Sequence, residues 1–417
     1  MRILVFILVV CLIVALGYAY AGWRLIGRSG MNGPRRRFAW FVLVVLYLLP
    51  VGMFLLQIVR AWGPSSSVVV WPAYLTLAFA SFTVTLLLLR DLARLIMKAT
   101  QQLVRRLPGG SRGASLVSSE NEAANPRSFS PRRRQFLANA SSLGVLGSAA
   151  LCTGYGVVEA RRTPMIVPVD VPITGLHPDL DGFTILQITD LHIGLTVGRE
   201  FVQSVTARSN RLAPDLVVFT GDLVDGSVPT LQEDVEPMGT LSSVHGRYFV
   251  TGNHEYYSGV EPWLDEVRRL GYRVLLNEHA LIARGQGKIL LAGVTDPTGG
   301  DFLSSHATSV AKAVEGAPDA HVRILLAHQP KSIFEAAGLG VDLQLSGHTH
   351  GGQFVPWSFF AAMAQPYISG LHRHENTWVY VSKGTGYWGP PVRVGAHSEI
   401  TLVRLRRAAG ETVSGRA

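Results

Sequence analysis

Five short clusters in this sequence combine carboxylates, imidazoles and glycine. They are Asp190-Leu191-His192, Gly221-Asp222-Leu223-Val224-Asp225, Gly252-Asn253-His254-Glu255, Ala327-His328-Gln329-Pro330 and Gly347-His348-Thr349-His350-Gly351-Gly352. All 13 histidines of the chain lie after residue 176. A mixed shell of Asp, Asn and His donors suits Mn²⁺, Fe or Zn²⁺ better than Mg²⁺ or Ca²⁺, which prefer oxygen ligands alone. A divalent ion held by such a shell lowers the pKa of a bound water. The two cysteines, Cys11 and Cys152, both sit in apolar runs, so no thiolate site or disulfide framework is available to the clusters.

The elements that must position these residues are legible as a pattern. Apolar runs at 183–189, 215–220, 246–251, 288–294, 322–327 and 341–346 read as strands, and each cluster follows one of them. Residues 199–212 and 261–270 read as amphipathic helices between strands, which argues for a layered α/β domain. Further strands are expected at 377–383 and 398–405, antiparallel if the sheet closes. In open α/β sheets ligands bind at the carboxyl ends of strands, so five clusters at five strand ends converge on one site. Residues at i and i+2 of extended backbone point the same way. Asp190 with His192, and His348 with His350, are therefore each expected to aim at one centre. Any one cluster is an ordinary turn or cap; the conjunction carries the signal.

In this order and setting the clusters resemble the calcineurin-like metallophosphoesterase family, from about Phe183 to Gly352, with strands continuing to about Leu405. The form of GNHE, of GHTHGGQ and of the late stretch VSKGTGYWGPPVRV (381–394) is similar to the bacterial membrane-associated branch. The resemblance implies a two-layer β-sandwich flanked by helices, over about 160–410, with two divalent metal ions at its rim. It implies that Asp190, His192 and His350 bind one ion. Asn253, His328 and His348 would bind the other, with Asp222 bridging both. His254 would contact the phosphoryl group and protonate the leaving oxygen, with Asp225 orienting its ring. Asp225 is followed by Gly226-Ser227 where phosphoprotein phosphatases carry Arg-Gly, which argues against phosphoprotein substrates. Glu255 either supports the site's ligands or is structural, while Tyr387, Trp388 and Arg393 either line the entrance or pack the sandwich edge.

The first third of the chain is of another kind. Uncharged runs at 3–22, 39–59 and 67–89 are each about long enough to span a bilayer. Residues 91–107 read as a basic amphipathic helix on the membrane surface, and 108–131 as a disordered linker. The segment 132–158 resembles a twin-arginine signal retained as an anchor, through Arg133-Arg134 and a weakly apolar stretch, although Arg132 replaces the usual Ser or Thr. Residues 1–160 carry 17 Lys+Arg and 4 Asp+Glu, whereas 161–417 carry 21 and 25. The basic charge thus belongs to the membrane-flanking segments, which excludes the clustered footprint of a nucleic-acid-binding domain. Its placement between spans puts the N-terminus and the phosphoesterase-like domain outside the cytoplasm.

These observations lead to a membrane-anchored hydrolase of phosphate esters, with the membrane and a phosphate ester, free or lipid-linked, as its partners. Two alternatives stand beside it. One is a lipid-nucleotide pyrophosphatase of the UDP-2,3-diacylglucosamine hydrolase type, whose cytoplasmic substrate conflicts with an outward-facing site. The other is a non-catalytic membrane scaffold, which predicts broken ligands; none is broken.

Overall fold

The computed structural model describes residues 2–58, 67–106 and 131–408. The linker expected over 108–131 falls outside these residues, its last position excepted. The chain divides into two compact units, Met1–Gly154 and Tyr155–Ala417.

The first unit holds α1 (Arg2–Leu25), α2 (Gly33–Ile58), α3 (Ser67–Arg106) and most of α4 (Pro131–Arg161). All four helices are long and apolar enough to cross a membrane. The third apolar run and the amphipathic stretch that follows it form one helix of 40 residues rather than two elements. From Ala73 to Arg106 there is no glycine or proline, and Leu, Ala, Arg, Lys and Gln all favour the helix, so nothing breaks it. The Tyr18 hydroxyl faces the Leu46 and Thr76 carbonyls at 3.3 and 3.2 Å, which ties α1 to α2 and α3.

The second unit is a sandwich of two six-stranded sheets. The first contains β1 (Met165–Ile173), β2 (Thr184–Ile188), β3 (Leu216–Thr220), β4 (Arg247–Val250), β5 (Arg273–Val274) and β12 (Glu399–Arg407), in the order β1-β12-β2-β3-β4-β5. The second contains β6 (Glu278–Arg284), β7 (Gly287–Gly293), β8 (Val322–Leu326), β9 (Leu343–Ser346), β10 (Gly370–His374) and β11 (Thr377–Val381), in the order β10-β11-β9-β8-β7-β6. Successive strand residues point to opposite faces, and the cores follow that alternation. Ile185, Val218, Ile289, Ile324 and Leu345 fill the space between the sheets. Leu186, Val217 and Phe219 face outward, under α5 (Arg199–Asn210), α6 (Val228–Val235) and α8 (Val260–Arg269), which follows the short α7 (Asn253–Ser258). Ala292 and Leu325 lie likewise under α9 (Val310–Val314) and α10 (Ile333–Ala336). The remaining helix, α11 (Trp357–Ala364), has no buried residue.

One strand expectation is corrected, and β1, β5, β6 and β10 are strands that the sequence pattern did not give. β12 is antiparallel to β2, as expected, but β11 runs parallel to β9 and antiparallel only to β10. β1 was not foreseen because Pro168 and Pro172 interrupt its pattern. It lies at the sheet's edge, where a missing N–H costs no ladder bond.

Candidate metal centre

β2, β3 and β4 lie side by side and parallel, as do β7, β8 and β9. The loops leaving β2, β3, β4, β8 and β9 carry the five clusters, so the strand-end argument holds. The local backbone differs from the expectation. Asp190, His192, Asp222, His348 and His350 are not extended but have φ between 51° and 72°. Non-glycine residues enter this left-handed region at a cost on the order of 1–3 kcal/mol and stay there only when their surroundings hold them. The i, i+2 side chains therefore converge through turns rather than through pleated strands.

The surroundings that hold them can be named. Glu255 is fully buried, and its carboxylate accepts three backbone N–H groups, from Gly252 at 2.7 Å, Asp222 at 3.0 Å and Leu223 at 2.7 Å. It thereby fastens the Asp222 turn to the start of α7. The Thr189 hydroxyl donates to Asp190 Oδ2 at 2.7 Å, and the His348 N–H faces both Asp190 oxygens at 3.0 Å. Two glycines permit the approach: a Cβ on Gly252 would lie 2.6 Å from Asp222 N, and one on Gly347 would overlap Asp190 Oδ2.

The side chains form three groups that could hold a metal ion: Asp190–His192–His350, Asp222–His328–His348 and His192–Asp225–His254. His192 Nε2 is 3.0 Å from His350 Nε2, and His328 Nε2 is 3.1 Å from His348 Nδ1. Asp222 Oδ2 lies between the first two groups, 3.1 Å from His328 Nε2 and 3.7 Å from His192 Nε2. Ring tautomers follow from the outer contacts. His192 Nδ1 faces Asp225 Oδ1 at 3.2 Å, and His328 Nδ1 faces the Thr220 carbonyl at 2.8 Å. Both partners only accept, so each Nδ1 donates, and Nε2 is the nitrogen a metal would take once the ring is neutral. Asn253, at the start of α7, is buried with its Oδ1 unpartnered.

Charge divides the rings: against its burial, Asp222 and Asp190 lift His328 well above its ordinary value. Burial drives His348 down to about 3, helped by the nearby His328, and burial with His192 beside it drives His350 well below its ordinary value. Both rings are neutral, as ligands must be. Asp222 is held well below the carboxylate range because His328, His254 and His192 outweigh its burial. His254 Nδ1 is 2.5 Å from Asp225 Oδ1, and this carboxylate with Asp222 overcomes burial to lift the ring to about 9.

Every expected site residue is therefore at this one rim. Of the three late residues, only Trp388 is at the entrance, half exposed with its ring 5.7 Å from His254. Tyr387 is buried and donates to the Thr196 carbonyl. Arg393 is fully buried and fans under His350, with Nη2 3.1 Å from His350 Nδ1 and the Lys383, Gly386, Ala396 and His350 carbonyls as acceptors. Thr189 and Thr220 were missed; hydroxyls and carbonyls that act on a ligand's far side leave no spacing signal.

A family model for the calcineurin-like phosphoesterases matches residues 183–352, the stretch that holds every cluster. An uncharacterized metallophosphoesterase of Helicobacter pylori is 37% identical over 279 residues, covering 66% of this chain and 73% of that relative. The chain belongs to the calcineurin-like metallophosphoesterases. Proteins named transmembrane protein with metallophosphoesterase domain, from Danio rerio and Bos taurus, are each 39% identical, over 62% and 65% of this chain. The chain spans 61% and 64% of those two relatives. For a metallophosphoesterase, the paired donor groups around Asp222 are the expected feature of the fold.

Proposed function

We propose that this chain is a membrane-anchored phosphoesterase that hydrolyses phosphate esters at two divalent metal ions, Mn²⁺, Fe or Zn²⁺. The observation that carries it is the position of Asp222 Oδ2 between two groups of inward-facing donors. The residues fit such a pair. Four imidazole nitrogens and two carboxylates converge there, and Asn253 Oδ1 is a buried acceptor without a partner that a cation would satisfy. Asp190, His192 and His350 would hold one ion, Asn253, His328 and His348 the other, and Asp222 both. When bound, such ions supply the Lewis acidity that makes water nucleophilic toward phosphorus and offsets charge on the phosphoryl oxygens.

The chain's own residues do the rest. His254 donates through Nδ1 to Asp225, so Nε2 is the nitrogen free to hand a proton to the leaving oxygen. The His254 N–H donates to Asp222 Oδ1 at 2.9 Å, which fixes the acid relative to the bridge. Trp388 and Tyr257, whose rings lie 5.7 and 5.2 Å from His254, shape the approach.

The four apolar helices support anchoring, and the basic flanks between them support a multi-pass arrangement with the phosphoesterase unit outside the cytoplasm. Arg133-Arg134, at the start of α4, supports export by a twin-arginine route. The test is hydrolysis of a chromogenic phosphomonoester and diester by the full chain, with Mn²⁺, Fe²⁺ and Zn²⁺ in turn. Absence of turnover in every arm, with two ions bound, refutes the reading; a preparation that binds no stoichiometric metal supports the scaffold instead.

A further inference from the structure

α11 presents a physical problem that the metal centre leaves open. Its sequence, WSFFAAMA, contains no charged residue, and residues 351–371 contain no Asp, Glu, Lys or Arg. Yet none of its side chains is buried: Met363 is 85% exposed, Phe359 67% and Phe360 56%. Water-facing aromatic and thioether side chains at this density mark a surface that something else covers. At 1.5 Å per residue the helix is about 12 Å long, far short of the ~30 Å hydrocarbon core, so it cannot span a bilayer.

Within the same unit, the end of a candidate span meets the entrance loop. The last turns of α4, whose apolar stretch is long enough to cross a membrane, are knit to the loop 386–396: the Arg393 N–H donates to the Gly156 carbonyl at 2.9 Å. The Val394 N–H donates to the Gln353 carbonyl at 2.9 Å, and the Gln353 amide donates to the Trp388 and Pro390 carbonyls at 3.0 Å. Four residues after Gln353, α11 begins. The end of a candidate span, the entrance loop with Trp388 and the start of α11 thus form one hydrogen-bonded rim. Exposed Trp388, Tyr257 and Phe302 continue the apolar surface from that rim toward His254.

We infer that α11 is an interfacial helix, seated in the lipid surface of the membrane that carries the chain's own anchors. Aromatic residues suit that position, with apolar rings among acyl chains and polar edges at the headgroups. The helix packs on the turn that carries His348 and His350: a Cβ on Gly352 would collide with the Ser358 backbone. Seating α11 in lipid therefore presents the centre to phosphate esters at the membrane surface. The inference rests on the membrane-anchored reading above and names the surface through which that site meets the bilayer.

The test uses the full chain in phosphatidylcholine vesicles, with Cys11 and Cys152 replaced by serine and the dye NBD placed on Met363→Cys. We expect emission shifted to the blue and quenched at least threefold more by doxyl-labelled lipid than a dye on Val244→Cys. That control residue is exposed on the loop entering β4, at the strand ends away from the site. Phe359→Glu with Phe360→Glu should abolish the quenching and leave hydrolysis of a soluble aryl phosphate within twofold. A water-like spectrum at residue 363 overturns the inference. So does a blue-shifted spectrum that doxyl lipid does not quench, because protein, a second copy or another chain, then covers the helix. Lipid quenching without turnover of the soluble ester keeps the interfacial helix and refutes the phosphoesterase reading instead.

Discussion

Asp225 Oδ1 stands 2.5 Å from His254 Nδ1, and the same oxygen lies 3.2 Å from His192 Nδ1. One carboxylate thus sets the tautomer of a proposed metal ligand and of the proposed acid. Asp225→Asn removes the charge that supports both rings, and loss of such support typically costs roughly 10–100-fold in metal affinity or activity. We expect kcat to fall by about that factor, with extra metal restoring only part of it. His254→Ala should keep both ions and lose about 10²–10⁴ in rate. Metal analysis beside steady-state kinetics separates the two, and an active His254→Ala enzyme excludes the assigned role.

Chelation should loosen the second unit as well as silence it. The donors are buried and face one another across 3.0–3.1 Å, so a cation that binds only the folded chain stabilises it. Saturation at about 100 times Kd contributes about 2.7 kcal/mol. With about 2–4 °C of Tm per kcal/mol for a domain of this size, thermal scans before and after EDTA should differ by roughly 5–10 °C. Re-addition of Mn²⁺ should reverse the change, and superimposable scans count against a metal at this place.

Glu255→Gln tests the brace beneath the bridge. Glutamine retains the volume but turns an NH₂ group toward at least one of the Gly252, Asp222 and Leu223 N–H donors. Charged hydrogen bonds of this kind are worth about 1.5–3 kcal/mol each, and at least one is lost. Chemical denaturation should report a loss in that range or above, and metal occupancy should fall because Asp222 no longer holds its left-handed turn. Unchanged stability contradicts the bracing role.

Arg393 is buried without a carboxylate partner, so its guanidinium serves carbonyl oxygens and the back of His350. Lysine cannot reproduce that planar fan. Arg393→Lys should lower Tm by several degrees and weaken the ion held by His350 more than the other. Titration of the two sites, followed calorimetrically, would show one constant moving and one staying. Equal weakening of both assigns Arg393 to packing alone.

Gly347→Ala is the backbone counterpart. The added methyl overlaps Asp190 Oδ2 and lies 2.9 Å from Thr189 Cγ2. We expect Asp190 to be displaced and activity to drop at least tenfold while the sandwich still folds, as circular dichroism and a turnover assay together would show.

The donor residues themselves were legible without coordinates, because ligand chemistry requires particular side-chain types and strand-loop alternation leaves them at predictable ends. The same holds for the apolar helices, whose length and composition are properties of the chain alone. Strand β1 was hidden by Pro168 and Pro172, which are tolerated only because that strand ends up at an edge. Nothing local in GDLVD says that Asp222 rather than Asp225 lies between the donor groups. That follows from the parallel placement of β2, β3 and β4 beside β8 and β9, and from left-handed turns held by Glu255 and Thr189. Likewise an arginine in GPPVRVG reads equally as surface or core; only the fold wraps five acceptors around it. Residue type determined which chemistry this protein could perform. The register of two packed sheets decided which atoms face one another, because hydrogen-bond geometry between distant segments is set by packing and not by spacing along the chain.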